Sequence, residues 1–287
     1  MSRSVAFARL VLIDLKTEAK RTLVLLGISA LLFSLLIVLF FFHTLQSDGD
    51  FLPLSFADCL ACLFGGMEEF SPGHDRSFKI PAAWLCVCLM GAYVALGYPV
   101  RNLEGVGVKQ CIAARSRWAW WLAKCLWVVA CTLGFCMTAF LICLVASYAS
   151  EGDAGLSLSK FTPGLLNFFA AEDCDAFAGG EGMLLFIAGI PVVLSALGLV
   201  QLAVSVNVNP LVAFVVTSAI LFLSAFYLNP FALGNYLMLA RSSLVIHVGV
   251  NPATGMGLSV LAGMVAVIAG GVAFGRRDVL GKEAFSS

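Results

Sequence analysis

The apolar positions of this chain fall in six long blocks, with neither the alternation of a strand nor the one-sided stripe of a surface helix. From Leu23 to Phe42, Pro81 to Tyr98, Leu126 to Ala146, Met183 to Val206, Leu211 to Leu228 and Gly257 to Phe274 there is no Asp, Glu, Lys, Arg or His. A helix rises about 1.5 Å per residue and bilayer hydrocarbon is about 30 Å thick, so ~20 such residues cross it. Each block approaches or exceeds that length. The pattern predicts an all-α polytopic membrane protein with six transmembrane helices, near 23–42, 81–98, 121–147, 183–206, 211–228 and 257–274.

The segments between the blocks have their own patterns. In residues 1–22, Phe7, Leu10, Val11 and Leu15 recur at helical spacing, while Arg9, Lys16 and Lys20 share another face. That predicts an amphipathic interfacial helix lying in the headgroup plane, ahead of a six-span domain over 23–287. Trp84, one turn into the second block, and Trp118, Trp120 and Trp121, ahead of the third, are expected as interfacial anchors. The segment Asn229 to Met256 is mostly apolar but broken by Asn229-Pro230, Gly234 and Asn251-Pro252. It reads as re-entrant or interfacial helices on the outside, before the last span. Small residues at Ala262, Ala266, Gly270, Gly271 and Gly275 predict a close helix approach, within one chain or between two.

Composition agrees with the blocks: 61% of the 287 residues are hydrophobic and 12% charged. Soluble domains are nearer ~45–50% and ~25%, so that class is excluded. Net charge is zero, yet the charges are sorted. With alternating spans and the N-terminus inside, 13 of the 17 Lys and Arg are cytoplasmic, and 12 of the 17 Asp and Glu are external. Basic residues set orientation, so both termini are expected in the cytoplasm of a multi-pass plasma-membrane protein. The first block is longer than a signal h-region and ends at Phe40-Phe41-Phe42-His43 without a small-residue cleavage site, so it is expected to stay as a span. Of ten cysteines, Cys86, Cys88, Cys131, Cys136 and Cys143 fall in spans. Cys59, Cys62 and Cys174 fall in outer loops, where a disulfide from Cys174 is one arrangement and unpaired thiols the expected one.

Candidate chemistry is sparse. There is no G-x-x-x-x-G-K-[ST] loop to cradle nucleotide phosphates, and Glu68, Glu69 and His74 lie in a loop interrupted by Pro72-Gly73. No Cys or His spacing marks a metal site, and no basic patch marks a nucleic-acid surface. Neither an enzyme nor a cofactor site is expected in this chain. The polar side chains within the blocks are uncharged: Ser29, Ser34, Thr138, Ser195, Gln201, Thr217 and Ser218. Membrane proteins that move ions usually bury titratable groups in the bilayer. Spans without them point to energy supplied from outside the membrane.

The segment between the second and third blocks is long for a connector. In YPVRNLEGVGVKQCIAARSRWAWWLAKCLW the Gly105-Val106-Gly107 hinge precedes a short helical stretch, with Lys109, Arg115, Arg117 and Lys124 against one acid, Glu104. Together with FGRRDVLGKE at the C-terminus and the span pattern, this segment resembles type-2 ABC-exporter permeases. The resemblance implies a permease subunit that pairs with a second permease copy or a homologous permease and sits on a cytoplasmic ABC ATPase subunit, which would hold ATP and Mg. It implies an exporter of peptide, drug or lipid, with residues 1–22 as the elbow helix. It also implies a coupling helix over Val108–Ser116, with Val108, Lys109, Gln110, Ile112, Arg115 and Ser116 as ATPase contacts. The competing readings are an ion-coupled secondary transporter and a non-transporting immunity, sensor or assembly protein.

Overall fold

The computed structural model of the protein describes residues 3–48, 53–69, 80–96, 98–102, 116–159, 162, 180–246 and 249–276. Among them the chain is helical, with no strand and a lone bridge between Ser242 and Val250. The helices, in order, are α1 (Arg3–Asp48), α2 (Phe56–Phe64), α3 (Ala82–Ala95), α4 (Tyr98–Asn102), α5 (Arg117–Ala149), α6 (Gly180–Asn207), α7 (Pro210–Phe226) and α8 (Pro252–Arg276). Five segments are long and apolar enough to cross a membrane: Lys16–Leu45, Ala82–Asn102, Arg117–Ala149, Glu181–Asn207 and Pro252–Arg276. By length and composition this is a multi-pass helical membrane protein. The stretch expected as a sixth span is α7, whose 17 residues reach about 25 Å, short of the hydrocarbon thickness.

Helix ends follow local chemistry, and they move the expected boundaries. The Ser116 hydroxyl accepts from the Ala119 N–H at 3.3 Å, so α5 starts ahead of position 121. Asn209 caps α7 by accepting from Leu211 N–H at 2.8 Å, with Pro210 in the first turn, where its missing N–H costs nothing. Asn251 does the same for α8 through Ala253, and Pro252 again enters first, so α8 begins five residues before 257. Residues 3–22 continue into the first span as one helix; no Gly or Pro interrupts the sequence before Gly27.

α6 is the central helix, packed against α3, α4, α5, α7 and α8, most extensively against α8. Two small residues of α8, Gly270 and Gly271, face α5 and α6 closely. A Cβ placed on Gly270 would stand 2.6 Å from Trp121 and 2.9 Å from Ala203, and one on Gly271 would stand 2.4 Å from Trp118. At Gly270 and Gly271 the close approach is within the chain, against α5 and α6, while Gly275 has open space around it. The outward faces of α1, α7 and α8 are apolar, with Leu23, Leu31, Leu211 and Ile268 all exposed.

The bundle has two distinct ends. Asn102, Ser116, Asn207 and Arg276 lie at one, with Asp14 and Glu18 of α1, here called the terminal end. At the other, three loop segments form a cap. α2 is buried from Ala57 to Phe64, and it hangs from the 150–159 segment through Phe56 N–H to Asp153 O (3.0 Å) and Ala57 N–H to Gly155 O (3.2 Å). Of the broken segment expected over 229–256, residues 229–246 carry two short 3-10 turns, Leu233–Leu237 and Leu239–Arg241, joined to the α2 segment by Ala240 N–H donating to Gly65 O at 3.0 Å, and residues from Pro252 on belong to α8. Trp84 Nε1 donates to Leu237 O at 2.9 Å beneath it. Gly66 makes the turn between these pieces at φ +70°, over Met238, a conformation that penalises any Cβ.

Candidate functional site

Of the residues expected to contact an ATPase, Val108, Lys109, Gln110, Ile112 and Arg115 lie outside the described residues. Ser116 is the N-cap of α5. The tryptophans expected as anchors divide. Trp118 is 43% exposed, while Trp84, Trp120 and Trp121 are 0–1% exposed, packed between helices with each indole N–H bonded inside the protein. Their rings fill space that the small residues of α8 and the turn at Leu237 leave open.

Lys124, counted by sequence among the loop cations, is a fully buried residue of α5. Its Nζ lies 2.6 Å from Oδ1 of Asp14 on α1, also fully buried. The same oxygen accepts from the Tyr98 hydroxyl of α4 at 2.7 Å. Asn102, one turn on, donates to the Tyr98 oxygen at 3.5 Å and accepts from Trp120 Nε1 at 3.2 Å. Trp120 then stacks on Phe274 of α8, centroids 4.9 Å apart. Lys124 Nζ stands 4.7 Å from the Tyr98 ring centroid and 5.1 Å from that of Trp120. Two π faces and a carboxylate thus surround the ammonium, which offsets part of its desolvation. Asp14 Oδ2 has no partner among the described residues.

This node joins α1, α4, α5 and α8, and a second layer surrounds it. Arg101 reaches Glu18 at 3.4 Å, and Arg117 donates to Gly275 O at 2.8 Å. The two roots of the 103–115 segment, Asn102 and Ser116, are therefore fixed to the same rigid end of the bundle. The six blocks themselves are free of charge, but the interior that they form is not.

Two further buried charges hold the cap. Asp58 accepts from Ser55 N–H (2.9 Å), Ser55 Oγ (2.8 Å), Ser159 N–H (2.9 Å), Ser159 Oγ (2.6 Å) and Thr162 Oγ1 (2.7 Å), closing a capping box on α2 and tying it to the 159–162 segment. Arg241 is fully buried, its guanidinium donating to carbonyls of Met67, Glu68, Ser224, Ala225 and Tyr227 and to Asn235 Oδ1. It satisfies the carbonyls left open at the end of α7. Burial pulls its pKa down to about 10, against the opposing charge of Glu69, so it remains a cation at neutral pH.

Cys59 and Cys62 are buried free thiols on α2, both pushed up to about 12 by burial. Cys174, their proposed partner, lies outside the described residues. No cluster of three or more His, Cys, Asp or Glu side chains among the described residues is arranged to hold a metal. A cavity of ≈ 480 Å³ opens between α5, α6 and α8, lined by apolar groups and by Ser195 and Ser259.

Sequence reading missed the Asp14–Lys124 pair because its members are 110 positions apart. One signal was available, at Lys124: it sits inside an apolar run, WLAKCLW, with no acidic residue within a turn on either side, whereas Asp14, in VLIDL, has Lys16 two positions on. Comparison with known proteins adds no identity: no family model, curated protein or solved structure matches the chain.

Proposed function

We propose that the protein is the membrane-spanning permease subunit of an ATP-driven exporter, energised by a separate cytoplasmic ATPase. The observation that carries this reading is the fastening of the 103–115 segment. Its two roots meet at the Asn102–Trp120 hydrogen bond, and through Tyr98, Lys124 and Phe274 that bond reaches α1, α5 and α8. A partner pressing on this basic segment would therefore displace four helices together. In this reading the terminal end, where the basic residues gather, faces the cytoplasm, where such a partner resides. In this reading Val108–Ser116 docks on the ATPase, Lys109 and Arg115 make charged contacts, and the cap closes the outer end.

The test is purification of the tagged chain from its native membrane. A nucleotide-binding subunit should co-purify, and ATP turnover of the complex should collapse in the Lys109→Glu/Arg115→Glu double variant while the protein remains inserted. Undiminished turnover in that variant removes the coupling assignment; absence of any ATPase removes the permease reading. The buried Asp14–Lys124 pair favours a second reading, ion-coupled secondary transport. It requires proteoliposomes of the chain alone to move protons or sodium under an imposed gradient, which the first reading forbids.

A further inference from the structure

Hydroxyls in the spans mostly satisfy themselves. Ser29, Thr138, Thr217 and Ser218 each donate to the carbonyl four residues back, at 2.8–3.0 Å. Gln201 does not. Its side chain is 2% exposed, and neither its amide nitrogen nor its oxygen has a partner among the described residues; Ser205, one turn on and 4% exposed, is equally unpartnered. A leucine at 201 would fill such a position without leaving polar atoms unpaired, so the amide is held there at a cost in stability.

The position of the pair narrows its role. Gln201 is buried within the chain, on α6, which packs against five other helices, so it is not a contact between copies. Gly198 faces α5: a Cβ there would lie 2.9 Å from Val128 and 3.7 Å from Thr132 Oγ1. At about 100° per residue, Gln201 and Ser205 point within roughly 60° of the same direction. Trp121 and Ala203 both meet Gly270, so α5 and α6 run antiparallel. One turn on from Gly198 is therefore level with one turn back from Val128, which is Lys124. Among the described residues the Gln201 amide is unpartnered at this level, as is Oδ2 of Asp14, the partner of Lys124, and the unpartnered Ser205 hydroxyl lies one turn further along α6.

We propose that Gln201 and Ser205 form a recognition point for an uncharged hydrogen-bonding group, an amide or hydroxyl carried on an apolar molecule. The amide supplies two donors and an acceptor, and the hydroxyl supplies one of each. The charges at this level already neutralise one another as the Asp14–Lys124 pair, so an ionic ligand would be left uncompensated in an apolar interior. As a substrate contact, the site rests on the permease reading; as a binding site, it does not.

The experiment uses the purified full chain in detergent, with octanamide as probe and octane, octanoate and octylammonium as controls. Octanamide should raise the apparent Tm of the wild type, and the controls should not. Gln201→Leu should abolish that protection and, without probe, melt about 2–4 °C above wild type, since it removes an unpaired buried amide. Ser205→Ala, a smaller change, should fold normally and weaken the protection. Three results overturn the proposal: no protection of the wild type by octanamide, equal protection by octylammonium, or a Gln201→Leu protein less stable than wild type. None of these readouts involves an ATPase, so failure of the permease reading in the co-purification assay leaves this test intact.

Discussion

Asp14 and Lys124 show how a buried ion pair is both a cost and a lock. Removing two charges from water is expensive, and their attraction offsets it only with good geometry and further hydrogen bonds. The Tyr98 hydroxyl and two aromatic faces supply those. Truncating one partner leaves the other charge buried and alone, so Lys124→Met should lose about 3–5 kcal/mol of stability, while Asp14→Leu/Lys124→Met should recover most of it. Thermal unfolding in one detergent checks both, with Asp14→Leu as the second single variant; a double-variant loss equal to the sum of the two single losses would mean that the pair is not energetically coupled. Cys59 and Cys62 give a second residue-scale prediction. Burial disfavours the thiolate, so with pKa values near 12 both should resist maleimide at pH 7–9 and react only as pH approaches 12. Rapid labelling at pH 7 would contradict the buried cap.

At the scale of elements, what the sequence made legible was the apolar blocks, and what it concealed was their junctions. Charge-free runs need no partner to be recognised, because the bilayer alone demands them. The extension of α5 back to Arg117 depends on the Ser116 cap, and the start of α8 on Asn251, local signals that block-counting passes over. The tryptophans in the first turns of α5 read as lipid anchors because an aromatic at a span end has that meaning when nothing else covers it. α8 covers two of them instead, Trp121 at Gly270 and Gly271 and Trp120 at Phe274, and leaves Trp118 half-exposed. Gly270→Ala should therefore force apart Trp121 and Ala203 and cost about 1–3 kcal/mol, whereas Gly257→Ala, with open space around it, should be near neutral. Equal effects at the two positions would show that the seam has slack.

For the molecule as a whole, the two ends are built differently. The cap is closed by a carboxylate and a guanidinium that use up their hydrogen-bonding capacity, leaving an inert plug. The terminal end keeps unpartnered polar atoms at Asp14, Gln201 and Ser205, beside the fastened roots of a basic segment. Rigid where it seals and under-satisfied where it meets its proposed partner, the bundle is polarised for one-sided control. Orientation is open to direct measurement: Val208→Cys and Phe231→Cys, 63% and 81% exposed in the parent residues, should label with an impermeant maleimide from opposite sides of the membrane, Phe231→Cys from outside. Labelling of Val208→Cys from outside would reverse the assigned topology.

The distance in sequence between Asp14 and Lys124 also sets an order of events during synthesis. α1 leaves the ribosome long before α5 exists, so its carboxylate must wait through the first two membrane segments without its counter-ion. Arg241, emerging later, finds the carbonyls of Met67 and Glu68 already in place. The Asp14–Lys124 pair can thus form midway through translation and the Arg241 contacts of the cap only later, while the α8 contacts of the terminal end, at Phe274 and Gly275, come last. A ribosome stalled before α5 would hold a chain whose first helix still carries an unmet charge at the membrane edge, the form most open to capture by an insertion factor or a protease.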